Sequence, residues 1–142
     1  MTDHLLISIK PEFALKIIAG TKTVELRRKF PIEKAIGKLA VIYASTPLKK
    51  IIGYVTIENV SLLAVDVIWN QYGEASNVEK DFFDRYYANI SHGFVVHLTR
   101  AFPLKKQITL QQLKEQYNIS PPQSYRYLSE EVLQAILSQL HS

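Results

Sequence analysis

Residues 7–28, ISIKPEFALKIIAGTKTVELRR, decide the fold of this chain, because a strand, a helix and a second strand follow one another within them. The apolar run 5–9 has the length of a strand and ends before Pro11, since the residue preceding a proline is disfavoured in the helical region. Pro11 is tolerated in the first turn of a helix, and Gly20 suits a left-handed C-cap. The pattern therefore predicts a strand followed by a helix over 11–20.

The segment after this helix, GTKTVELRRK at 20–29, carries four cationic side chains and one carboxylate, Glu25. Alternation over 23–28 predicts a strand with apolar residues on one face and Glu25 and Arg27 on the other. Lys22 lies in the preceding turn and can reach the same face. We predict that these three side chains converge over the mouth of a sheet or barrel, where they would bind a phosphate or the polar edge of a base.

A solvated strand face is the alternative interpretation of these charges. Exposed ion pairs contribute about 0–1 kcal/mol and need no ligand to explain them. Arg28 and Lys29 come at the end of the strand and are interpreted as part of a positive surface, with Arg28 among the residues expected to face phosphate.

The composition indicates a folded globular protein. The 142 residues are 47% hydrophobic and 21% charged, which is typical of a packed core. We predict a single domain over 1–142, with a core over 5–128 and an appended helix at 129–141. The first residues contain no apolar run long enough for a signal peptide or a membrane span, so we expect a cytoplasmic protein without a membrane partner.

Several kinds of site are excluded by the residue types present. The chain has no cysteine, which excludes disulfides, thiolate zinc sites and a cysteine nucleophile. The four histidines are scattered, and the glycines form neither a phosphate loop nor a dinucleotide fingerprint. We therefore expect no metal and no cofactor.

The positive charge is concentrated in the first third of the chain. Residues 1–50 hold ten Lys and Arg against four Asp and Glu, a balance of +6, whereas residues 51–142 hold seven against nine, a balance of −2. A local positive field favours polyanions, chiefly nucleic acid, as partners. The alternative is that the lysines only make the surface soluble.

The remaining elements complete an α+β pattern. Strands are predicted over 38–45, 51–60 and 92–102, and helices over 61–73, 76–88, 108–118 and from Ser129 onward. Capping boxes are predicted for the pairs Ser76 and Glu79 and Thr109 and Gln112, and the aromatic stripe Phe82, Phe83, Tyr86 and Tyr87 is interpreted as core packing. Short connections between grouped strands favour a small, mostly antiparallel β-barrel with peripheral helices.

Two further groups of polar residues are candidates for ligand binding. Tyr43 and Ser45 share one face at the end of the third strand. The stretch PPQSYRY at 121–127 is predicted to have no regular structure, and it carries Gln123, Tyr125 and Arg126. Aromatic and arginine side chains together stack on unpaired bases, although a plain tether for the last helix explains the prolines equally well.

The stretch 7–28, together with GKLAVIYASTPLKKIIGYV at 37–55, resembles an ASCH domain of the PUA-like superfamily. The mark of that family is a G-x-K-x-x-E-x-R motif, which here is Gly20, Lys22, Glu25 and Arg27. The resemblance covers roughly residues 5–128. It implies a small β-barrel with peripheral helices and a cleft over which the motif residues lie.

The resemblance also implies a function. ASCH domains are generally proposed to bind RNA or other nucleic acid in transcription- or translation-linked regulation. A smaller branch hydrolyses the amide of N4-acylated cytidines with a lysine, a threonine and a glutamate, and nuclease activity has been proposed for other members. Lys22 matches the lysine of that branch, but Glu25 occupies the threonine position, and Glu58 or Glu74 would have to supply the glutamate.

The sequence is therefore compatible with three functions. The first is a module that binds RNA or a nucleotide through the cleft, and the second is an enzyme on a nucleoside or nucleic acid with Lys22 and Glu25 as its catalytic pair. The third is an adaptor whose last helix docks on a partner or a second copy through its apolar residues, which are Val132, Leu133, Ile136, Leu137 and Leu140.

Overall fold

A computed structural model of the protein describes residues 3–138. Within that range the chain forms six strands and five helices. The strands are β1 (His4–Ile9), β2 (Val24–Arg27), β3 (Leu39–Ala44), β4 (Lys50–Ala64), β5 (His92–Thr109) and β6 (Tyr125–Leu128). The helices are α1 (Pro11–Ala19), α2 (Val65–Ser76), α3 (Lys80–Tyr86), α4 (Leu110–Tyr117) and α5 (Glu130–Leu137).

The opening β1-α1-β2 unit is as the sequence predicts. Pro11 begins α1, and Gly20 follows its last residue with a φ of 84°, in the left-handed region that a glycine adopts without strain. The backbone N–H of Gly20 donates to the carbonyl of Ile17 and so ends the helix. This cap turns the chain back towards β2, two residues before Lys22.

The strands form one mixed sheet in the order β2-β5-β4-β3-β1-β6. Strands β1 and β3 are parallel, since α1 and β2 lie between them in the chain, and the other four pairings are antiparallel. The sheet ends at β2 on one side and β6 on the other, so hydrogen bonding does not close it. The α+β prediction is confirmed, whereas the mostly antiparallel barrel is not.

Two strands run further than the sequence predicts. Strand β4 continues through residues 61–64, which pair with β5 rather than starting a helix, so α2 begins at Val65. Strand β5 continues through Pro103, which pairs with Gly53 where the register of the two strands shifts. A proline is accepted within a strand at such an irregularity because no regular ladder bond is lost there.

The stretch 121–127 also contains regular structure, contrary to prediction, because its second half belongs to β6 and pairs with β1. The capping box of Thr109 and Gln112 is confirmed, as is the cap that Ser129 gives α5. The box predicted for Ser76 is wrong. Ser76 is the last residue of α2, and its hydroxyl donates to the carbonyl of Gly73.

Helices cover the sheet in three apolar clusters. Helix α1 packs on residues of β1, β3 and β4, while α2 and α3 pack on β2 and β5. Helix α5 inserts Leu133 and Ile136 against β1 and β3, where both are fully buried. The predicted end of this helix, including Leu140, lies outside the described residues. Among residues 3–138, no helix is both long enough and apolar enough to cross a membrane.

Candidate functional site

A cleft of about 330 Å³ opens where β1, β2 and the helices α1 and α3 meet. Its walls differ in chemistry: the charged residues of the 20–29 segment lie on one side, an aromatic group on another, and small polar residues at the rim. The residues that line it are Ser8, Ile9, Lys10, Phe13, Lys22, Glu25, Leu26, Arg27, Ser45, Val78, Phe82, Tyr86 and Gln123.

Lys22 is almost completely buried, with 2% of its surface exposed. Its ammonium donates to the carbonyl of Ser76 at the end of α2, and it lies 3.7 Å from Oε1 of Glu25. The same nitrogen is 5.1 Å from the centre of the Phe13 ring, within the range of a cation–π contact. The side chain is therefore fixed by three elements and does not swing freely after the helix.

Glu25 and Arg27 leave β2 on the same face, two residues apart, as the alternation predicts. Both are buried, at 8% and 9% exposure. Arg27 donates from Nε to Oε2 of Glu25 at 3.1 Å, and its Nη2 lies 2.9 Å from the same oxygen. The alternative of a solvated strand face is wrong, because neither side chain reaches bulk water to any great extent.

Arg27 also spans the gap between the two edges of the sheet. Its Nη2 donates to the carbonyl of Ser8 in β1 at 3.0 Å, and its Nη1 donates to Oγ of Ser124, just before β6, at 3.1 Å. The three charged side chains thus share one hollow, as predicted. We call Lys22, Glu25 and Arg27 the charged triad.

Burial shifts the protonation of groups at this cleft. It lowers the pKa of the Lys22 amine below its usual 10.5, and the nearby carboxylate of Glu25 acts in the opposite direction. Burial raises the pKa of the Tyr86 hydroxyl above its usual 10.0. A lysine with a lowered pKa in a cleft is a recognised mark of a functional site.

The aromatic wall consists of Phe13, Phe82 and Tyr86. Phe82 meets Phe13 edge to face, with ring centroids 5.2 Å apart, and it stacks on Tyr86 with centroids 5.9 Å apart and planes 10° from parallel. Lys10 lies over the Phe82 ring at 5.5 Å. The other half of the predicted stripe, Phe83 and Tyr87, is buried under α2. Core packing is thus the correct interpretation for only half of that stripe.

Ser45 and Gln123, both predicted from the sequence, lie at the rim of this cleft. Arg28 does not line it. The guanidinium of Arg28 donates to the carbonyls of Tyr86 and Ala88, and its backbone N–H donates to the Tyr86 hydroxyl. Arg28 therefore holds the end of α3 in place instead of facing the interior of the cleft.

Three predicted site residues lie elsewhere. Tyr43 is on the opposite face of the sheet, among the residues that contact α4 and α5, because the strand ends after Ala44 and the chain turns before Ser45. Tyr125 packs against Phe30, with ring centroids 5.2 Å apart, and Arg126 is exposed and donates to the carbonyl of Ser120. Since 125–128 is a strand rather than a loop, these side chains are directed by its pleat and do not form the predicted stacking wall.

Several residues of the cleft were not predicted from the sequence. Ser8, Lys10 and Phe13 lie directly before and within α1, where the short spacing between β1 and the helix was a usable signal. Val78 follows Asn77, whose left-handed conformation ends α2, and its place in the cleft depends on this helix ending at Ser76 rather than near Gly73 as predicted. Glu58 and Glu74 are exposed and do not line the cleft.

Over residues 3–138, no group of three or more His, Cys, Asp or Glu side chains is arranged to hold a metal ion. The acidic residue of the cleft, Glu25, has two cationic neighbours instead. The charged triad itself offers groups for hydrogen bonding, and Lys22, whose pKa is lowered, offers a group for proton transfer.

Comparison with known proteins identifies the family. The profile of the ASCH domain matches residues 7–124. The chain belongs to the ASCH domain family. An ASCH domain-containing ribonuclease from Zymomonas mobilis is 34% identical to it, over 97% of this chain and 96% of that protein. A crystal structure of ASCH from Zymomonas mobilis superimposes with a TM-score of 0.90 at 33% identity, covering 97% of this chain and 96% of the other.

More distant likenesses concern part of a longer protein or the fold alone. The large ribosomal subunit protein uL22 of Ureaplasma parvum is 26% identical over 89% of this ASCH domain, which spans only 40% of that protein. Human THYN1, solved in complex with DNA containing 5-methylcytosine, has a TM-score of 0.58 at 16% identity, over 99% of this chain and 98% of the other. At that identity the likeness shows a shared fold.

Proposed function

We propose that this ASCH domain binds nucleic acid, with RNA as the favoured ligand, by taking an unpaired base into the cleft. The observation that carries the proposal is a buried charged triad facing the same hollow as an aromatic wall. An aromatic wall stacks on any base, and a base edge needs fixed polar partners. A transcription- or translation-linked role for this binding stays a prediction of the family resemblance.

A count of hydrogen-bond donors favours a base over a phosphate in the interior of the cleft. The ammonium of Lys22 donates to the carbonyl of Ser76, and it also lies 3.7 Å from Oε1 of Glu25 and 5.1 Å from the centre of the Phe13 ring. Arg27 donates hydrogen bonds to Glu25, Ser8 and Ser124, and its Nη2 also lies 2.9 Å from Oε2 of Glu25, so most of its N–H groups already have protein partners. Because a phosphate needs several free donors, we propose that the backbone of the nucleic acid stays outside the cleft, near Lys10.

The size of the cleft agrees with a single base or nucleoside. Its volume of about 330 Å³ is at the lower end of the range for small-ligand pockets. The surplus of positive charge in residues 1–50 would attract the polyanion and keep its phosphates near the opening. The Zymomonas mobilis relative, which is named a ribonuclease and matches over nearly its whole length, is consistent with an RNA ligand.

The experiment is a fluorescence anisotropy titration with a labelled single-stranded RNA and with a duplex of the same sequence. The single strand should bind more tightly, and log–log salt dependence should show a slope of about −0.7 for each phosphate contacted. Ser45→Trp fills the rim of the cleft and should weaken binding at least tenfold. Ser91→Trp, at an exposed position outside the cleft, is its matched control and should bind as the wild type does. Equal binding by both variants would place the RNA elsewhere.

Cleavage of RNA is the second candidate function, and the name of the 34% identical relative is what favours it. Lys22, with its lowered pKa, and Glu25 are the candidate catalytic pair. The same RNA samples, run on a denaturing gel, report cleavage directly. Products that form equally well with Lys22→Met would exclude this lysine from the chemistry. The amidohydrolase alternative is weaker, because Glu25 occupies the threonine position and no second carboxylate lines the cleft among the described residues.

A further inference from the structure

We infer that Asn77 is a positioning residue of the cleft, because it holds the Ser76 carbonyl where that group receives the Lys22 ammonium. Asn77 does not itself line the cleft. The inference rests on the proposed function, since the position of Lys22 matters to RNA only if the charged triad takes part in binding. It follows from the hydrogen bonds at the end of α2.

The end of α2 has carbonyl groups that the helix itself does not use. An α-helix leaves the carbonyls of its last turn without N–H partners of its own, and Asn77 ends α2 in the left-handed region, with φ 54° and ψ 44°. The carbonyl of Ala75 accepts from the backbone N–H of Thr23 at 3.1 Å, and that of Ser76 accepts from the Lys22 ammonium. The segment before β2 therefore docks on the open end of this helix.

The side-chain amide of Asn77 joins the two sides of this contact. Its Nδ2 donates to the carbonyl of Thr21, the residue before Lys22, at 3.2 Å, and its Oδ1 accepts from the Lys16 ammonium of α1 at 3.2 Å. The carbonyl of Lys16 in turn accepts from the backbone N–H groups of Thr21 and Lys22, at 3.0 and 3.1 Å. The turn that carries Lys22 is thus tied to α2 by the residue directly after Ser76.

The position of the Lys22 ammonium depends on this contact. The C-terminal end of a helix carries a partial negative charge, which favours a cation there. Because Lys22 is 2% exposed, water cannot easily replace a lost partner, and hydrogen bonds to charged groups are among the stronger ones. A looser contact would move the ammonium relative to both Ser76 and Glu25. We expect the charged triad then to lose the arrangement that it presents to RNA.

Asn77→Gly separates the two contributions of this residue. Glycine adopts the left-handed conformation readily, so the end of α2 is kept, whereas the side-chain bonds to Lys16 and Thr21 are lost. Asn118 ends α4 in nearly the same conformation, with φ 54° and ψ 42°, and does not line the cleft. Asn118→Gly is therefore the matched control.

Two measurements are made on each variant, after urea denaturation has shown that it is folded. The first is the anisotropy titration with single-stranded RNA, in which Asn77→Gly should bind about fivefold or more weakly. The second is the proton shift of the Lys22 ε-methylene group, identified by its absence in Lys22→Met. The Phe13 ring beside the ammonium should displace this shift from that of exposed lysines, and Asn77→Gly should move it back towards them. Asn118→Gly should match the wild type in both.

The outcomes separate the inference from the proposed function. Wild-type RNA affinity and an unchanged Lys22 shift in Asn77→Gly would overturn the inference and leave the proposed function standing. A change in only one of the two, or an equal loss of affinity in Asn118→Gly, would also overturn it, because Asn77 would then not act through Lys22. Absence of binding of single-stranded RNA by the wild type would overturn both.

Discussion

The charged triad is stable in a buried position because each charge has partners. An isolated ion in a low-dielectric interior is strongly unfavourable, and a buried pair offsets that cost only when its remaining donors and acceptors are satisfied. Lys22 contacts the Ser76 carbonyl, Glu25 and the Phe13 ring. Arg27 donates to Glu25, Ser8 and Ser124. No buried side-chain nitrogen or oxygen lacks a partner within residues 3–138. The cleft is thus preorganised before any ligand arrives.

Lys22 should make the stability of the protein depend on pH in a direction that can be measured. Burial lowers its pKa below 10.5, so the unfolded chain binds more protons than the folded one, and the free energy of unfolding should rise as the pH increases towards 10.5. We expect the free energy of unfolding of the wild type minus that of Lys22→Met to increase from pH 7 to pH 9.5, as measured by urea denaturation. The same difference for Lys105→Met, an exposed lysine, should stay flat. A flat or falling difference for Lys22 would contradict the lowered pKa.

At the scale of residues, the sequence predicts those parts of the site that depend on local geometry. Alternation in β2 was sufficient to bring Glu25 and Arg27 to one face. The partner of Lys22 could not be predicted in the same way, because the Ser76 carbonyl is 54 residues away and is positioned by the end of α2. Tyr43 was misplaced because a turn follows Ala44, so strand parity does not carry over to Ser45.

At the scale of elements, α3 shows why a periodic pattern is ambiguous. Adjacent aromatic residues of a helix lie about 100° apart, so a pair at consecutive positions faces two environments. Phe83 and Tyr87 are directed into the cluster under α2, whereas Phe82 and Tyr86 are directed towards the cleft. The sequence predicts the helix and its aromatic content. Which half meets the core is decided by the docking of α3 next to α1.

The two phenylalanines of α3 should therefore separate stability from binding. Phe83→Ala removes a side chain that is 1% exposed and should lower the free energy of unfolding by about 3–5 kcal/mol. Phe82→Ala removes a half-buried ring of the cleft and should weaken binding of single-stranded RNA by about 1–3 kcal/mol, with a smaller loss of stability. Urea denaturation and anisotropy titration of both variants check this. If Phe82→Ala left RNA affinity unchanged, the aromatic wall would have no part in binding.

At the scale of the whole molecule, the site depends on long-range pairing that period-two patterns do not encode. Alternation predicts strands, but not that β1 pairs with β3 in parallel or that β2 pairs with β5. The open sheet brings its two ends close enough for Arg27 to bond Ser8 and Ser124. One arginine therefore both lines the cleft and connects β2 to the β1 and β6 side of the sheet, which is why fold and site cannot be varied independently here.

The packing of α5 leads to a prediction about the whole chain. Leu133 and Ile136 of α5 are fully buried against the sheet of the same chain. These two residues therefore stabilise the fold and are not exposed for binding to a partner. Leu133→Ala should lower the free energy of unfolding by about 2–5 kcal/mol and leave the molar mass in light scattering unchanged. Gln134→Ala, at an exposed position on the same helix, is the control and should change neither quantity.

A chain ending at Leu128 extends this test to the entire helix. It removes the cover from Leu6 and Val41, which are buried beside α5, and it should unfold at a lower urea concentration than Leu133→Ala. Because exposed apolar surface promotes association, any change in the number of copies per particle should be an increase. The opposite result, in which the full chain is a dimer and the shortened chain is a monomer of undiminished stability, would show that α5 forms an interface between two copies.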